Sequence, residues 1–587
     1  MIRKNVVAVI LILSFVLTIA IRWIGFSGEN YRSIITSDGR GYYQYYESTL
    51  GNQSLDSQKA NGTYLVYTPD STVVNKYFVG LPLLWSPFVL PVYTYYSITS
   101  DSDIDFYAEG FQKAISLAVL LYLFLGLFAM KKLLQSFDFE QKIINFSLFA
   151  FFFGTNLSYY TIIASSMSHV YSFALIAGFL LYVRRYSIRQ TPQHLIYAAL
   201  LFGLIALVRP VNGLILLAIP VVWKKGVPFF ELLKSNLELL VAAVFLISMI
   251  VGLQLLFWYL QTGSLIQWSY AGEGFYFTHP HFADFLFSYR KGVLFYSPLI
   301  FVSILGFSII YKENRVRFWF SLVFMLILFY VLSSWWNWYY GDSYGSRVLI
   351  DFYPFFILLF AFKLQKSDFI TKRILPIIVS LLIVLNVFQS YQYYHNIMSH
   401  YDMNHEKYWY IFGKFGAEYE NRLGGNDDIA PYHKEPMDTV FVIDRIKTSL
   451  TYRVLCDAPL NSSKKQLINT NVNGQQFPCT VSIAAEKLME YKALYVEMQC
   501  ATLNEGDELN DVYWTISIRS EHTPSHYYAF RINDTPKRKE CFRNDIYRFA
   551  LPMPQKFDDE VLISLWNKGK KSFQITTLRI VVFGIKE

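Results

Sequence analysis

Charge is scarce in this chain. Asp, Glu, Lys and Arg make up 16% of its 587 residues, against roughly a quarter in soluble globular proteins. The shortage excludes an intrinsically disordered chain, which combines high charge with few apolar side chains. Cysteine is scarcer still. There are four, Cys456, Cys479, Cys500 and Cys541, too few for a disulfide scaffold and too widely spaced for a zinc knuckle. Glycine (30) and proline (20) fall far short of a collagen-like repeat. What the chain does contain is apolar: 53% hydrophobic and 18% aromatic residues, with 51 Phe and 45 Tyr. Such a composition implies a protein that lives mostly in lipid.

The averages hide a division. Residues 401–587 carry 24 Lys and Arg and 25 Asp and Glu, an ordinary soluble density, while residues 1–400 carry only 28 and 19. The net charge is therefore +9 in the first part and −1 in the second. A basic excess within a membrane region is a topology signal rather than a nucleic-acid footprint. The expected organisation is a membrane region at 1–391, a linker at 392–435 and a soluble domain at 436–587.

A membrane-crossing helix needs ~20 mostly apolar residues. Eleven segments qualify as expected spans: 5–24, 112–130, 143–162, 165–183, 193–207, 210–223, 237–260, 292–311, 317–336, 347–362 and 374–391. The first follows Arg3 and Lys4 and has no small-x-small cleavage site after it, so it reads as an uncleaved anchor. Residues 78–97 are apolar but contain three prolines, and read as an interfacial or re-entrant piece on the outer side. With the N-terminus inside, 18 of the 28 basic residues fall in short inner loops, among them Lys131, Arg184, Lys224, Arg317 and Lys363. This asymmetry predicts an inner N-terminus, and eleven crossings then leave the C-terminal domain outside. An even number of cysteines confined to that domain fits an oxidising compartment and two disulfides.

Beyond residue 436 the pattern changes to short alternating runs at 439–443, 493–498, 513–518, 527–532, 561–566 and 577–583, separated by turn signals such as 504–506 and 567–569. Short strands at such spacing predict a β-sandwich. It carries no catalytic constellation. Binding a glycan and packing on the outer loops are both open as its role.

Polar residues at a membrane interface are functional candidates because burying them is costly. In this layout they gather at the outer face: Asp38, Arg40 and Glu47; His169; Arg209; His279, His281, Asp284, Arg290 and Lys291; and Tyr339, Tyr340, Asp342, Tyr344, Arg347 and Asp351. Asp38-Gly39 also reads as a plain turn signal. His279, His281 and Asp284 have the spacing of metal ligands.

The segments SDGRGYYQYY (37–46), GLPLLWSPF (80–88), SHVYSF (168–173), LVRPVN (207–212), KGVLFYSP (291–298) and GDSYGSRVLIDFYP (341–354) together resemble a GT-C glycosyltransferase, the polytopic class that uses lipid-linked sugar donors. The likeness covers residues 1–391 and is strongest to bacterial relatives of the protein O-mannosyltransferase and aminoarabinose-transferase group. It implies about eleven membrane helices followed by an extracytoplasmic β-sandwich, and a multi-pass protein of the bacterial cytoplasmic (inner) membrane with a periplasmic C-terminal domain. In that class the acid of the first outer loop is the catalytic or metal-binding carboxylate, which corresponds to Asp38. Many members carry a second acidic motif where this chain has His169, so the resemblance leaves a divalent metal, Mg or Mn, open and names no metal ligand. Arg40, His169, Arg209, Arg290, Lys291, Tyr344 and Arg347 are the candidates for holding the donor phosphate or substrate.

The chemistry agrees. Glycosyl transfer from a polyprenyl phosphate needs a base for the attacking hydroxyl and cations where charge grows on the departing phosphate. Arg supplies bidentate phosphate contacts. In-line displacement with one base inverts the anomeric centre, unlike the two-carboxylate retaining scheme. The implied partners are a polyprenyl-phosphate-linked sugar, a glycan, lipid or protein acceptor, and the bilayer, with no nucleic acid. The alternatives are a lipid-linked glycan flippase or transporter and a polysaccharide polymerase or ligase. The first would show repeats between its halves, and none is apparent.

Overall fold

The computed structural model describes residues 5–25, 30–51, 64–67, 72–100, 103–270, 273–366, 369–401, 403–416, 419–420, 438–444, 453–455, 470–471, 477, 479–491, 493–504, 512–519, 526–531, 543–551, 554, 559–567 and 573–585. The chain forms two compact units, Met1–Tyr391 and Gln392–Glu587.

The first unit is helical. Helix α1 (Val6–Thr18) runs on through a π turn (Ile19–Ile24) and ends at Gly25, whose φ is +56°. Then come α2 (Asp38–Leu50), a small hairpin of β1 (Leu65–Tyr67) and β2 (Val73–Asn75), α3 (Gly80–Thr99), α4 (Glu109–Gln135), α5 (Gln141–Phe153), α6 (Leu157–Ile162), α7 (His169–Arg189) and α8 (Pro192–Val208). A 3-10 helix (Pro210–Ala218) leads into α9 (Ile219–Val222), α10 (Phe229–Lys234) and α11 (Leu237–Thr262). The short α12 (Phe282–Phe287), α13 (Val293–Tyr296), α14 (Leu299–Ile304) and α15 (Phe307–Glu313) precede α16 (Arg315–Ser333). A second 3-10 helix (Arg347–Phe352) continues into α17 (Tyr353–Gln365), followed by α18 (Phe369–Tyr394).

Six helical segments among the described residues are long and apolar enough to cross a membrane: Val6–Ile24, α4, α11, α16, Arg347–Gln365 and Arg373–Tyr394. Three of them, Val6–Ile24, α11 and Arg373–Tyr394, are largely exposed along their apolar windows, whereas Arg347–Gln365 is mostly buried. Helix α11 exposes Val241, Val244, Phe245 and Met249, each at least 60% accessible, and such a continuous apolar face is untenable in water. Helix α7 is the opposite case. It is buried along almost its whole length and packs on α4 and α8.

Three expected spans take a different form. Segment 143–162 is broken between α5 and α6. The break is stabilised by side chains that replace helical hydrogen bonds: Asn386 Nδ2 donates to the carbonyls of Phe153 and Thr155 at 2.9 and 2.8 Å. Segment 292–311 is split into α13, α14 and α15. Pro298 has no N–H to continue a helix, and Gly306 lies so close to α17 that a Cβ there would meet the Leu359 carbonyl oxygen at 2.1 Å. Segment 210–223 is mostly 3-10 helix. Residues 78–97, expected to be interfacial or re-entrant, lie mostly in one continuous helix, Gly80–Thr99, containing Pro87 and Pro91. It packs on α4 and α8 and does not double back.

The second unit begins with α19 (His405–Ile411), capped by Asn404, whose side chain accepts from the Lys407 N–H. Its strands are β3 (Asp438–Asp444), β4 (Arg453–Leu455), β5 (Thr470–Asn471), β6 (Cys479–Ala484), β7 (Ala493–Asn504), β8 (Val512–Arg519), β9 (His526–Arg531), β10 (Arg543–Leu551), β11 (Glu560–Asn567) and β12 (Phe573–Ile585). They form two antiparallel five-stranded sheets. One has the order β10-β7-β12-β3, with β5 also on β12; the other has the order β4-β6-β11-β8-β9. Alternate residues of both sheets share one core: Val481 and Ile483; Trp514, Ile516 and Ile518; Val561, Ile563 and Leu565; and, from the other sheet, Leu494, Val496, Met498, Ile580 and Val582. This is a β-sandwich, and each of the six expected strands overlaps an observed one. Cys456 and Cys541 lie outside the described residues. Cys479 and Cys500 fall on β6 and β7, with their side chains likewise outside the described set, and so are the expected disulfides.

Candidate functional site

Some of the polar residues of the first unit converge where α2, the residues after the β1–β2 hairpin, the N-terminus of α7, the α8-to-3-10 turn and the start of the second 3-10 helix meet. Asp38 is the first residue of α2, where an acid is favoured by the helix dipole. The preceding Ser37 has φ +50°, a conformation that costs energy for a residue with a Cβ. Gly39 is part of the helix rather than a free turn. A Cβ there would meet Ser166 Oγ at 2.2 Å, so only glycine lets α2 seat against the segment before α7.

The Asp38 carboxylate takes an ion pair from Arg347, Nη2 to Oδ2 2.9 Å, and stays 28% exposed at its side chain. Burial pushes its carboxyl up. Arg347, a hydrogen bond from Tyr77, then Lys76 and His169 outweigh burial and hold it below the ordinary carboxylate value. The balance favours the ionised form.

Arg347 opens the 3-10 helix that follows Gly345 (φ +62°). A Cβ at Gly345 would press on Tyr296 at 2.7 Å. Four residues on, Asp351 is fully buried. Its Oδ1 lies 2.8 Å from His169 Nδ1, its Oδ2 accepts from Asn212 Nδ2 at 2.8 Å, and Arg209 Nη1 stands 3.6 Å away. Arg209 Nη1 is also 2.9 Å from the His169 ring. Tyr42, one turn after Asp38, has its hydroxyl among Ser168, Arg209, Asp38 and Arg347. Burial, the largest influence, pushes it up to about 12, so it remains a hydrogen-bond donor. The Tyr42 ring packs on Tyr77 with centroids 4.5 Å apart. On the far side, Lys76 is paired with Glu273 at 2.5 Å.

Four of the eight expected site residues, Asp38, His169, Arg209 and Arg347, thus belong to one cluster. The other four have different surroundings. Arg40 points away on α2, its Nε donating to the Ile35 carbonyl at 3.4 Å and its charge facing Glu47, whose carboxyl burial pushes up. Lys291 is buried and donates to the Ser343 carbonyl, while its own carbonyl accepts from Ser346 Oγ at 2.7 Å. It buckles the loop that carries Arg347. Arg290 lies on the Tyr339 ring, 3.4 Å from its centroid. Tyr344 is fully buried, with its hydroxyl donating to Asn386 Oδ1 at 2.9 Å, and ties the loop to α18.

Tyr42, Lys76, Tyr77, Asn212 and Asp351 enter the cluster without having been assigned a role from sequence. Asp351 carried the clearest signal, an acid four residues from Arg347 in an apolar run. Lys76 and Tyr77 had none, because their proximity to Asp38 depends on how the hairpin folds back.

A divalent metal does not fit these residues. Among the described residues no three His, Cys, Asp or Glu side chains gather as ligands, and the carboxylates of Asp38 and Asp351 already face arginines. Mg²⁺ and Mn²⁺ favour an oxygen-rich shell. His281 pairs with Asp284 at 3.1 Å and His279 contacts Thr278, so that segment does not assemble a centre either. What the cluster offers is one accessible carboxylate, two arginines and a ring of hydroxyl donors.

No protein-family model matches the chain, and no curated protein matches it. Among solved structures, the oligosaccharyltransferase of Archaeoglobus fulgidus in its apo form aligns at 13% identity and a TM-score of 0.38, over 74% of this chain and 62% of that one. The same enzyme tethered to an acceptor peptide containing the NVT sequon aligns at 13% identity and 0.35, over 66% and 55%. The chain thus spans about three fifths of the length of that oligosaccharyltransferase.

Proposed function

We propose that the helical unit is a GT-C-type glycosyltransferase that moves a sugar from a polyprenyl-phosphate donor to an acceptor at the outer face of the membrane. The observation that carries this reading is the Asp38–Arg347 pair beside Arg209. It places a partly open carboxylate, held below the ordinary value, against Arg347, with a second cation, Arg209, near that arginine and paired with Asp351. The motifs that resemble the class supply both halves of the pair.

In the proposed reaction Asp38 accepts the proton of the acceptor hydroxyl as that oxygen bonds to the anomeric carbon. The carbon–oxygen bond to phosphate breaks, and its electron pair leaves on the phosphate oxygen. Arg347 and Arg209 stabilise that charge, and Tyr42 donates a hydrogen bond into the same space. Attack opposite the leaving group inverts the sugar. No metal takes part in this scheme. The proposed setting is a bacterial cytoplasmic membrane, N-terminus inside, with the β-sandwich on the outer side. The acceptor class is a glycan, lipid or protein.

The test is mass analysis of lipid-linked sugars in cells with the wild-type protein, without it, and with Asp38→Asn. The reading expects a polyprenyl-phosphate sugar to accumulate in the last two. Accumulation of an inner-leaflet diphosphate glycan instead would replace the transferase with a flippase.

A further inference from the structure

The two arginine–aspartate pairs of the site are built differently. Asp351 is sealed, its side chain 1% exposed, and is braced by His169 and Asn212 as well as facing Arg209. Asp38 is 28% exposed, and among the described residues its ion-pair contact is Arg347 Nη2. The other arm of that guanidinium, Nη1, meets the Met167 sulfur at 3.6 Å, and a thioether is a weak acceptor. Among the described residues Asp38 is the carboxylate within ion-pair distance of Arg347, with Asp342 acting on it from farther off, so the Nη1 arm has no ion-pair contact of its own, although a guanidinium binds phosphate best with two parallel N–H donors.

We propose that Arg347 changes partners when the donor binds. Its guanidinium turns from the Asp38 carboxylate to the donor phosphate, and Asp38 is freed to take the acceptor proton. This rests on the glycosyltransferase reading above and adds an order to it, in which the base is armed only after the donor is seated. The other groups facing Asp38 do not replace Arg347. Lys76 is committed to Glu273 and His169 to Asp351. Tyr77 and Tyr42 contribute hydroxyls that burial keeps protonated, and Tyr160 is engaged by the Tyr344 N–H at 3.0 Å. Before the donor binds, Asp38 thus acts as an internal competitor for the phosphate's ligand, and it weakens donor binding while it does so.

The experiment is a double-mutant cycle on binding of undecaprenyl phosphate to the purified full-length protein in detergent at constant pH and salt. Asp38→Asn removes the competitor and is expected to tighten binding about tenfold, a typical coupling for residues in direct contact. In an Arg347→Ala background the same change is expected to have little effect, and in an Arg209→Ala background it keeps its effect. Equal tightening in all three backgrounds would reduce the effect to charge repulsion and overturn the exchange while leaving the transferase reading intact. Failure of Asp38→Asn to tighten binding overturns the exchange whatever Arg347→Ala does. A wild-type protein that does not bind the lipid phosphate at all overturns both.

Discussion

Arg347 and Asp351 stand on one 3-10 helix and each is half of a different ion pair. Arg347 reaches Asp38 on α2 at 2.9 Å, and Asp351 faces Arg209 at 3.6 Å and His169 at 2.8 Å. A 3-10 helix turns once every three residues, so positions four apart point about a third of a turn away from each other. One short element can therefore grip α2 on one side and the α7 and α8 ends on the other.

Asp38→Asn is expected to leave the fold intact and to lower turnover by ~10²–10⁴-fold, the usual range for loss of a general base. Transfer assays on the purified variant decide it, and near-normal turnover would remove the assignment. The same variant gives a pH test. The folded Asp38 carboxyl lies below its unfolded value, so its contribution to stability is fully present above the unfolded value of about 4 and is lost as pH falls through the folded one. The melting difference between wild type and variant should close on acidification; a gap that widens instead would contradict the lowered value.

Arg347→Lys keeps a charge but loses the planar fork. It should transfer sugar better than Arg347→Ala and worse than wild type. Both KM for the donor and kcat should change, because the contact strengthens as charge grows on the leaving oxygen. Steady-state kinetics with unchanged constants in Arg347→Ala would make this arginine a headgroup anchor.

Asp351→Ala should be among the most destabilising substitutions in the helical unit. It leaves Arg209 and Asn212 facing an empty buried position, and breaking a buried pair from one side costs about 3–5 kcal/mol. Asp351→Asn keeps the shape and should cost less while raising KM, since Arg209 loses its brace. Thermal unfolding in detergent, paired with donor KM, separates the two effects. Equal melting temperatures for wild type and Asp351→Ala would show that the cluster does not hold the helices.

Trp514 is 1% exposed at the centre of the sandwich core. Its replacement by Ala removes a large buried ring, a change that costs about 3–5 kcal/mol in well-packed cores. Limited proteolysis of the full chain should show faster cleavage within residues 392–587, with the fragment 1–391 still protected. Unchanged cleavage would mean that the sheets do not pack through this residue.

The placement of the sandwich outside the membrane is testable through its cysteines. Reporter fusions near residue 400 should be active outside the cytoplasm, and peptide mapping without reductant should find Cys456, Cys479, Cys500 and Cys541 in two disulfides. A fusion active only in the cytoplasm reverses the topology, and four free thiols remove the bridges.

Composition and periodicity determined the two-part organisation by themselves. Lipid and water select opposite side chains along any segment long enough to cross or avoid a membrane, so the charge step near residue 400 and the period-2 runs of β8 and β11 are local signals. The same local signals marked Asp38, Arg209 and Arg347 as costly charges beside apolar spans. They could not show that α5 stops at Gly154, because the break is stabilised by Asn386, 232 positions later. Nor could they show that Asp38 would meet Arg347, that Asp351 would hold Arg209 and His169, or that Lys291 and Tyr344 would serve the loop instead of the phosphate. Those relations join residues from about forty to more than three hundred positions apart. They depend on the packing of α2, α7 and the second 3-10 helix at one end of the unit, where burial forces each charge to find a partner.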